Sequence, residues 1–154
     1  MSMSRILSGG LLGLALAATP AFADGHIDQA IKARQGLMQF YAMNLGVLGA
    51  MAKGERDYDA AAATAAAANI AAIAGTDQSM LWPQGSDEMS ADNTRALPDI
   101  WENFADVSAK SDDMVAAAAA METAAGTDLA SLQEAMKGLG GACGACHKPY
   151  RAPE

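Results

Sequence analysis

The residues best suited to chemistry in this sequence are two cysteines and a histidine close to its C-terminal end. Cys143 and Cys146 are the only cysteines among 154 residues, and His147 follows directly, in the order Cys-Gly-Ala-Cys-His. This spacing is the pattern that attaches haem c. Two thiols so spaced on a helix can add to the two vinyl groups of one haem edge, while the imidazole offers a nitrogen to the iron. The motif predicts one haem c, covalently attached through two thioethers, with His147 as an iron ligand.

Two other kinds of site use the same residue types. A redox disulfide of the thioredoxin type usually opens a helix after a strand, whereas this motif closes a long apolar pattern in a chain with no evident strand. A zinc site would need further ligands, and the other histidine, His26, lies near the N-terminal end, where we predict a surface residue. Both alternatives stay open, and the motif favours haem.

The elements that must position this motif are predicted to be four helices. Helix A runs from about Asp28 to Ala50, with apolar residues recurring every three or four positions. Helix B begins at the N-cap Asp59 and stops at Gly75. Helix C runs from Pro98 to Gly126, and helix D follows an N-cap at Thr127 or Asp128. The buried side of helix D is predicted to consist of Leu129, Leu132, Met136, Leu139, Cys143 and Cys146.

The connections between these helices define the expected fold. The A–B and C–D connections are short, while residues 75–97 are polar and irregular, with Pro83 and Gly85. A loop of this length in a small domain is usually functional or bracing. The pattern predicts an all-α protein, an up-down-up-down four-helix bundle with a long B–C crossover loop.

Composition and charge narrow the class of protein further. Hydrophobic residues make up 51% of the chain but aromatic residues only 5%, and this alanine-rich composition favours helices over strands. The formal net charge of −8 argues against nucleic acid binding, because the phosphate backbone would be repelled. It favours partners that present basic patches.

The N-terminal residues have the organisation of an export signal. Arg5 precedes an apolar stretch from Ile6 to Ala18, and Ala21-Phe22-Ala23 has the small-x-small cleavage pattern. The apolar stretch is short for a membrane span and is broken by glycines. We therefore predict that residues 1–23 are a cleaved signal peptide and 24–154 a haem c domain in a bacterial periplasm, without stable membrane insertion after cleavage. An uncleaved N-terminal anchor is the alternative.

Met38 is the candidate for a second iron ligand. In an antiparallel bundle the start of helix A lies beside the end of helix D, and at ~1.5 Å per residue Met38 and Cys143 are at similar distances from that end. A haem between the two helices could meet His147 on one face and Met38 on the other. Methionine is also a common core filler, and the chain has ten methionines, so packing is the alternative interpretation.

Several segments together resemble one family. The C-terminal Cys-x-x-Cys-His motif on the last helix of an alanine-rich bundle resembles the class II c-type cytochromes, the cytochrome c′ family. Ala33-Arg34-Gln35-Gly36-Leu37-Met38 is similar to that family's first-helix motif and Tyr58-Asp59-Ala60 to the start of its second helix. Pro98-Asp99-Ile100-Trp101 is similar to its third-helix entry, and residues 143–151 to its haem segment.

The resemblance implies a choice between two branches of the family. In one branch an apolar or aromatic residue leaves the iron five-coordinate and open to NO or CO. In the other, a methionine four residues after the helix A arginine gives a low-spin, six-coordinate haem. Here Arg34 is followed by Met38, so the resemblance implies the Met/His branch.

Three polar residues are predicted to contact the haem edge. Arg34 lies on the inward side of helix A, where an unpaired charge would be costly, and a haem propionate is a natural partner for its guanidinium. The alternative is that its side chain extends to solvent. Gln35 and Arg95 resemble positions at which the family brings polar groups to the haem.

These observations predict an electron carrier and no enzyme. The haem iron would cycle between ferric and ferrous states and exchange electrons with unidentified redox partner proteins, and the protein would be a monomer or a homodimer. The alternatives are a five-coordinate cytochrome c′ that binds NO or CO, and a weak peroxidase. For the peroxidase the sequence offers no distal histidine or acid that would help to cleave a peroxide bond.

Overall fold

The computed structural model describes residues 21–153, and these residues are predominantly helical. Residues 21–153 contain no strand, only an isolated antiparallel bridge between Ala96 and Arg151. A single 3-10 turn spans Ser79–Leu81. The α-helices are α1 (Ala21–Ala52), α2 (Ala60–Ala74), α3 (Asp99–Glu102), α4 (Phe104–Ala124) and α5 (Leu129–Tyr150).

The four long helices form the predicted bundle. Helices α1 and α4 each pack against both α2 and α5. One end of the bundle holds the start of α1 and of α4 and the end of α2 and of α5. The Arg34 side chain near the start of α1 reaches the Leu81 carbonyl just after α2, and the Tyr150 hydroxyl at the end of α5 reaches Asp106 at the start of α4. The all-α, up-down-up-down architecture with a long crossover loop is therefore confirmed.

Helices α2 and α5 each begin after a residue whose side chain caps the first turn. The Asp59 carboxylate accepts hydrogen bonds from the backbone N–H groups of Ala61 and Ala62, as predicted for the N-cap of the second helix. For the last helix the sequence left two candidates. The structure selects Asp128, whose carboxylate accepts from the Ser131 N–H at 2.7 Å. Each cap satisfies backbone donors that the first helical turn leaves without partners.

The prediction of one continuous third helix from Pro98 to Gly126 is wrong, because the helix breaks at Asn103. Its backbone has φ −122° and ψ 38°, outside the helical region. The Asn103 side-chain amide and its backbone N–H both donate to the Asp99 carbonyl, a local bonding pattern with which asparagine competes against helix continuation. Helix α4 also ends at Ala124 rather than at Gly126, and α1 begins earlier than predicted, at Ala21 rather than at Asp28.

The bundle core is thin and rich in alanine. Small residues bring the helices close together, so a few larger side chains fill each layer. The fully buried alanines include Ala63, Ala67 and Ala118. The largest fully buried apolar side chains are Leu48, Met51, Ile70, Met121, Leu132 and Leu139.

The crossover loop is bound to the end of α5. The Leu97 N–H donates to the Tyr150 carbonyl at 3.0 Å, and the Ala152 N–H donates to the Arg95 carbonyl at 2.9 Å. The loop thereby closes the end of the bundle that contains the Cys-x-x-Cys-His motif.

Gly126 allows the α4–α5 turn to approach α2 closely. A Cβ atom added at Gly126 would lie 2.4 Å from Oγ1 of Thr64, whose hydroxyl donates to the Ala60 carbonyl. We expect Gly126→Ala to lower the free energy of unfolding by about 1–3 kcal/mol, a usual cost of overpacking. Adding Thr64→Ala should recover most of that loss, because it removes the atom that clashes. Denaturant unfolding of the three variants checks this, and an unaffected Gly126→Ala protein would contradict it.

Candidate haem site

A pocket of about 560 Å³ lies at the end of the bundle where the crossover loop is bound. Its walls come from α1, α4 and α5, and the segment after α2 closes one side. A concave site with mostly apolar walls and a few polar groups is the usual form of a cofactor site. The lining residues that the argument uses are Met38, Tyr41, Trp82, Phe104, Lys110, Cys143, Cys146, His147 and Arg151.

Helix α5 presents both cysteines and the histidine to this pocket. Cys143 and Cys146 are free thiols of intermediate exposure. Burial raises the pKa of both thiols, so they are neutral near pH 7. Burial also lowers the pKa of His147, helped by the positive charges of Arg151 and Arg95. A neutral imidazole is the form that ligates a metal.

Met38 lines the same pocket from α1 and is 39% exposed. The structure therefore brings together the four residues predicted to hold the haem: Cys143, Cys146, His147 and Met38. Ligation of iron by Met38 stays a prediction.

Arg34 is buried, only 5% exposed, and binds the crossover loop rather than lining the pocket. Its guanidinium donates to the Leu81 carbonyl at 3.2 Å, to Ser86 Oγ at 2.7 Å, to the Ser86 carbonyl, and to Thr94 Oγ1 at 2.6 Å. Four hydrogen bonds satisfy a charge that burial would otherwise make costly. Its contact with a haem propionate stays a prediction.

Gln35 and Arg95 do not line the pocket either. Both side chains donate hydrogen bonds to backbone carbonyls. The Gln35 amide donates to the carbonyl of Asn93, which has the left-handed φ of 58° that asparagine tolerates. The Arg95 guanidinium donates to the Ala152 carbonyl at 2.6 and 2.9 Å. The positive charge of Arg95 contributes to the lowered pKa of His147. Contact of both residues with haem likewise stays a prediction.

Several residues of the pocket wall were not predicted from the sequence, among them Tyr41, Trp82, Phe104 and Lys110. Trp82 lies in the irregular loop, where no periodic pattern marks a residue as inward-facing. Tyr41 lies on α1, about one turn beyond Met38, but was not assigned to the haem. Phe104 lines the pocket from the start of α4 with an exposed side chain, and Lys110 lines it from the same helix.

A polar network fixes the end of α5 beside the attachment motif. The Tyr150 hydroxyl donates to Asp106 Oδ2 at 2.6 Å, and Lys110 Nζ donates to Asp106 Oδ1 at 3.1 Å. The hydrogen bond to Asp106, together with burial, raises the pKa of Tyr150 to about 12. Tyr150 packs in a small apolar cluster against which Cys146 lies. The network thereby holds the motif against α4.

The alternatives to haem gain no support from this geometry. Within residues 21–153 no group of three or more histidine, cysteine, aspartate or glutamate side chains is placed to hold a metal ion. His26 is exposed, as predicted. As far as the structure describes the chain, none of its helices is both long and apolar enough to cross a lipid bilayer.

The pocket residues fit a covalently attached haem. The cavity is large and mainly apolar, two neutral thiols lie at the required spacing on its wall, and a neutral imidazole follows them on the same helix. An all-helical bundle with a C-terminal haem-attachment motif opening into its internal pocket defines a single-haem c-type cytochrome.

Comparison with known proteins gives the family. The family described as cytochrome C′ matches residues 29–151. Cytochrome c-554 of Cereibacter sphaeroides is 49% identical over 142 residues, which cover 91% of this chain and 93% of that protein. The chain belongs to the cytochrome c′ family of class II c-type cytochromes.

Solved structures agree with this assignment. A cytochrome c′ from Rhodobacter spheriodes is 35% identical, with a TM-score of 0.81 over 83% of this chain and 98% of that one. A second cytochrome c′, described as having an unusual ligand-controlled dimer dissociation, is 32% identical, with a TM-score of 0.76 over 82% and 97% of the two chains. The chain is thus a monohaem cytochrome that carries one covalent haem c.

Proposed function

We propose that this protein is an electron carrier, and that His147 and Met38 would both ligate its haem iron. The observation that carries the proposal is that Met38 on α1 and His147 on α5 line one pocket, although more than a hundred residues separate them in the sequence. A bound haem supplies a one-electron couple between ferric and ferrous iron.

Each residue that would hold the haem has a separate role. Cys143 and Cys146 are the attachment points, and His147 offers its neutral imidazole from the same helix. Met38 offers a thioether, which raises the potential of haem relative to harder ligands and closes the site to exogenous gas. The packed bundle and the crossover loop exclude water and keep the ligands in place, so that the reorganisation on electron transfer is small.

The cellular setting is part of the same proposal. Residues 1–23 are a cleaved export signal, and the remaining chain works in the bacterial periplasm. Most of that signal lies outside the described residues. The acidic chain, with a formal net charge of −8, suits redox partners that present basic patches. The ligand-controlled dimer of one solved relative makes a homodimer a possibility to test beside the monomer.

A gas-binding, five-coordinate haem is the second candidate, and the names of the relatives favour it. The matching family and both solved structures described above are called cytochrome c′, and one of these is described by its response to a ligand. In this function Met38 would be a packing residue and the sixth position would take NO or CO.

Absorption spectra of the holoprotein separate the two candidates. We expect a low-spin spectrum in both oxidation states that does not change when CO is added. Met38→Ala should turn the spectrum high-spin and let CO bind, because it removes the sixth ligand. Met43→Ala, an exposed methionine on the same helix, is the matched control and should behave like the parent protein.

A high-spin parent spectrum that shifts promptly with CO would overturn the carrier proposal. The carrier proposal would also be overturned if Met38→Ala keeps the same low-spin spectrum as the control Met43→Ala. The first of these outcomes would move the assignment to the gas-binding candidate.

A further inference from the structure

We infer that Arg34 and Asp87 are two buried charges of opposite sign near the haem pocket, and that each shifts the reduction potential of the haem, in opposite directions. The inference rests on the presence of haem, which both candidate functions share, and not on ligation by Met38.

Arg34 does not line the pocket itself but packs against an aromatic ring that does. Its guanidinium carbon lies 4.9 Å from the centroid of the Trp82 ring, and Trp82 lines the pocket. The Trp82 carbonyl accepts a hydrogen bond from the Trp101 indole N–H at 3.0 Å, and the two rings meet edge to face. The indole therefore contacts the arginine and also forms part of the pocket wall.

The charge of Arg34 is fixed in position and lies away from solvent. The side chain is buried, and its four hydrogen bonds to the loop allow it little movement. Burial lowers the pKa of Arg34, and the nearby charge of Asp87 opposes that effect. An arginine side chain stays protonated in proteins, so a permanent cation packs against Trp82 of the pocket wall.

Asp87 supplies the opposing charge. It is 7% exposed and follows Ser86, the residue whose hydroxyl and carbonyl both bind Arg34. Burial by itself would raise the pKa of Asp87, but hydrogen bonds from Ser90 and from the Met89 N–H outweigh it, and the pKa is lowered. Asp87 is therefore ionised near neutral pH.

A buried charge beside a redox centre changes the balance between its oxidised and reduced forms. A cation favours ferrous iron, which has one positive charge fewer, and an anion favours ferric iron. At an effective dielectric constant of about 20, a unit charge roughly 10 Å from a redox centre changes the equilibrium constant for reduction about tenfold. For a one-electron couple a tenfold change is 59 mV.

The test is a spectroelectrochemical titration of the holoprotein and its variants. Arg34→Gln should lower the equilibrium constant for reduction about tenfold, and Asp87→Asn should raise it at least threefold. Arg34→Lys keeps the charge and should stay within about threefold of the parent. Lys53→Gln removes an exposed charge near the other end of α1 and is the matched control, expected to change the constant less than twofold.

Shifts of opposite sign in Arg34→Gln and Asp87→Asn distinguish an electrostatic role of these residues from a structural one. Loosening the loop would admit water and move both variants in one direction. Shifts of the same sign in Arg34→Gln and Asp87→Asn, or shifts no larger than that of Lys53→Gln, would overturn the inference. If Arg34→Gln does not fold, the comparison of the reduction equilibrium constants of Asp87→Asn and Lys53→Gln tests the inference by itself. The spin state of each variant is recorded as well, so a failure of Met38 ligation is recognised independently.

Discussion

Replacing Cys143 and Cys146 together with serine is expected to leave the protein without covalently bound haem. Serine has nearly the shape of cysteine, but its hydroxyl does not form the thioether. The apoprotein would keep an apolar pocket of about 560 Å³ that only the haem fills, so its free energy of unfolding should also fall. Intact mass and haem staining after denaturing electrophoresis measure attachment, and thermal unfolding followed by circular dichroism measures stability.

The single variants are the internal controls for this result. Cys143→Ser and Cys146→Ser each leave one thiol and should retain a single thioether, with stability between the parent and the double variant. Haem that stays with the double variant through denaturation would contradict the assignment of these two residues.

Leu139→Ala is expected to cost about 2–5 kcal/mol of the free energy of unfolding, the usual range for a fully buried leucine. Leu139 is completely buried, one helical turn before Cys143, and belongs to the main core of the bundle. Truncation leaves a cavity that the thin alanine-rich layers around it cannot fill. Denaturant unfolding of the holoprotein gives the difference, with the expectation that the slope against denaturant is unchanged.

Val115→Ala is the control for Leu139→Ala. Val115 lies on α4 with an exposed side chain, so removing its methyl groups should change the free energy of unfolding by about 0.5 kcal/mol or less. Equal losses in the two variants would show that position 139 is not part of the core.

The helices and the attachment motif could be predicted from the sequence because local chemistry determines them. Asp59 and Asp128 are placed where a first turn needs an acceptor, and both cap their helices. The break at Asn103 was missed, because Pro98 at the start and Gly126 at the end agree with one continuous helix. The break shows only in the backbone angles of Asn103 and in the bond from its side-chain amide to the Asp99 carbonyl.

The pocket was predicted in part. Met38, Cys143, Cys146 and His147 have helical spacings that place them at one end of the bundle, and they do meet there. Trp82 comes from a loop without periodicity, so no pattern could place it on the pocket wall. The partners of Arg34 belong to the same loop, 47 to 60 residues further along the chain, and depend on how that loop folds back.

The most direct test of Met38 as sixth ligand is an NMR spectrum of the reduced protein labelled with ¹³C at its methionine methyl groups. A methyl group held over the haem face is shifted far upfield by the ring current. The account predicts one such methyl signal that is lost in Met38→Ala and kept in Met43→Ala. Methyl signals that all lie in the ordinary methionine range, in a protein that binds CO, would contradict it and leave Met38 as a packing residue.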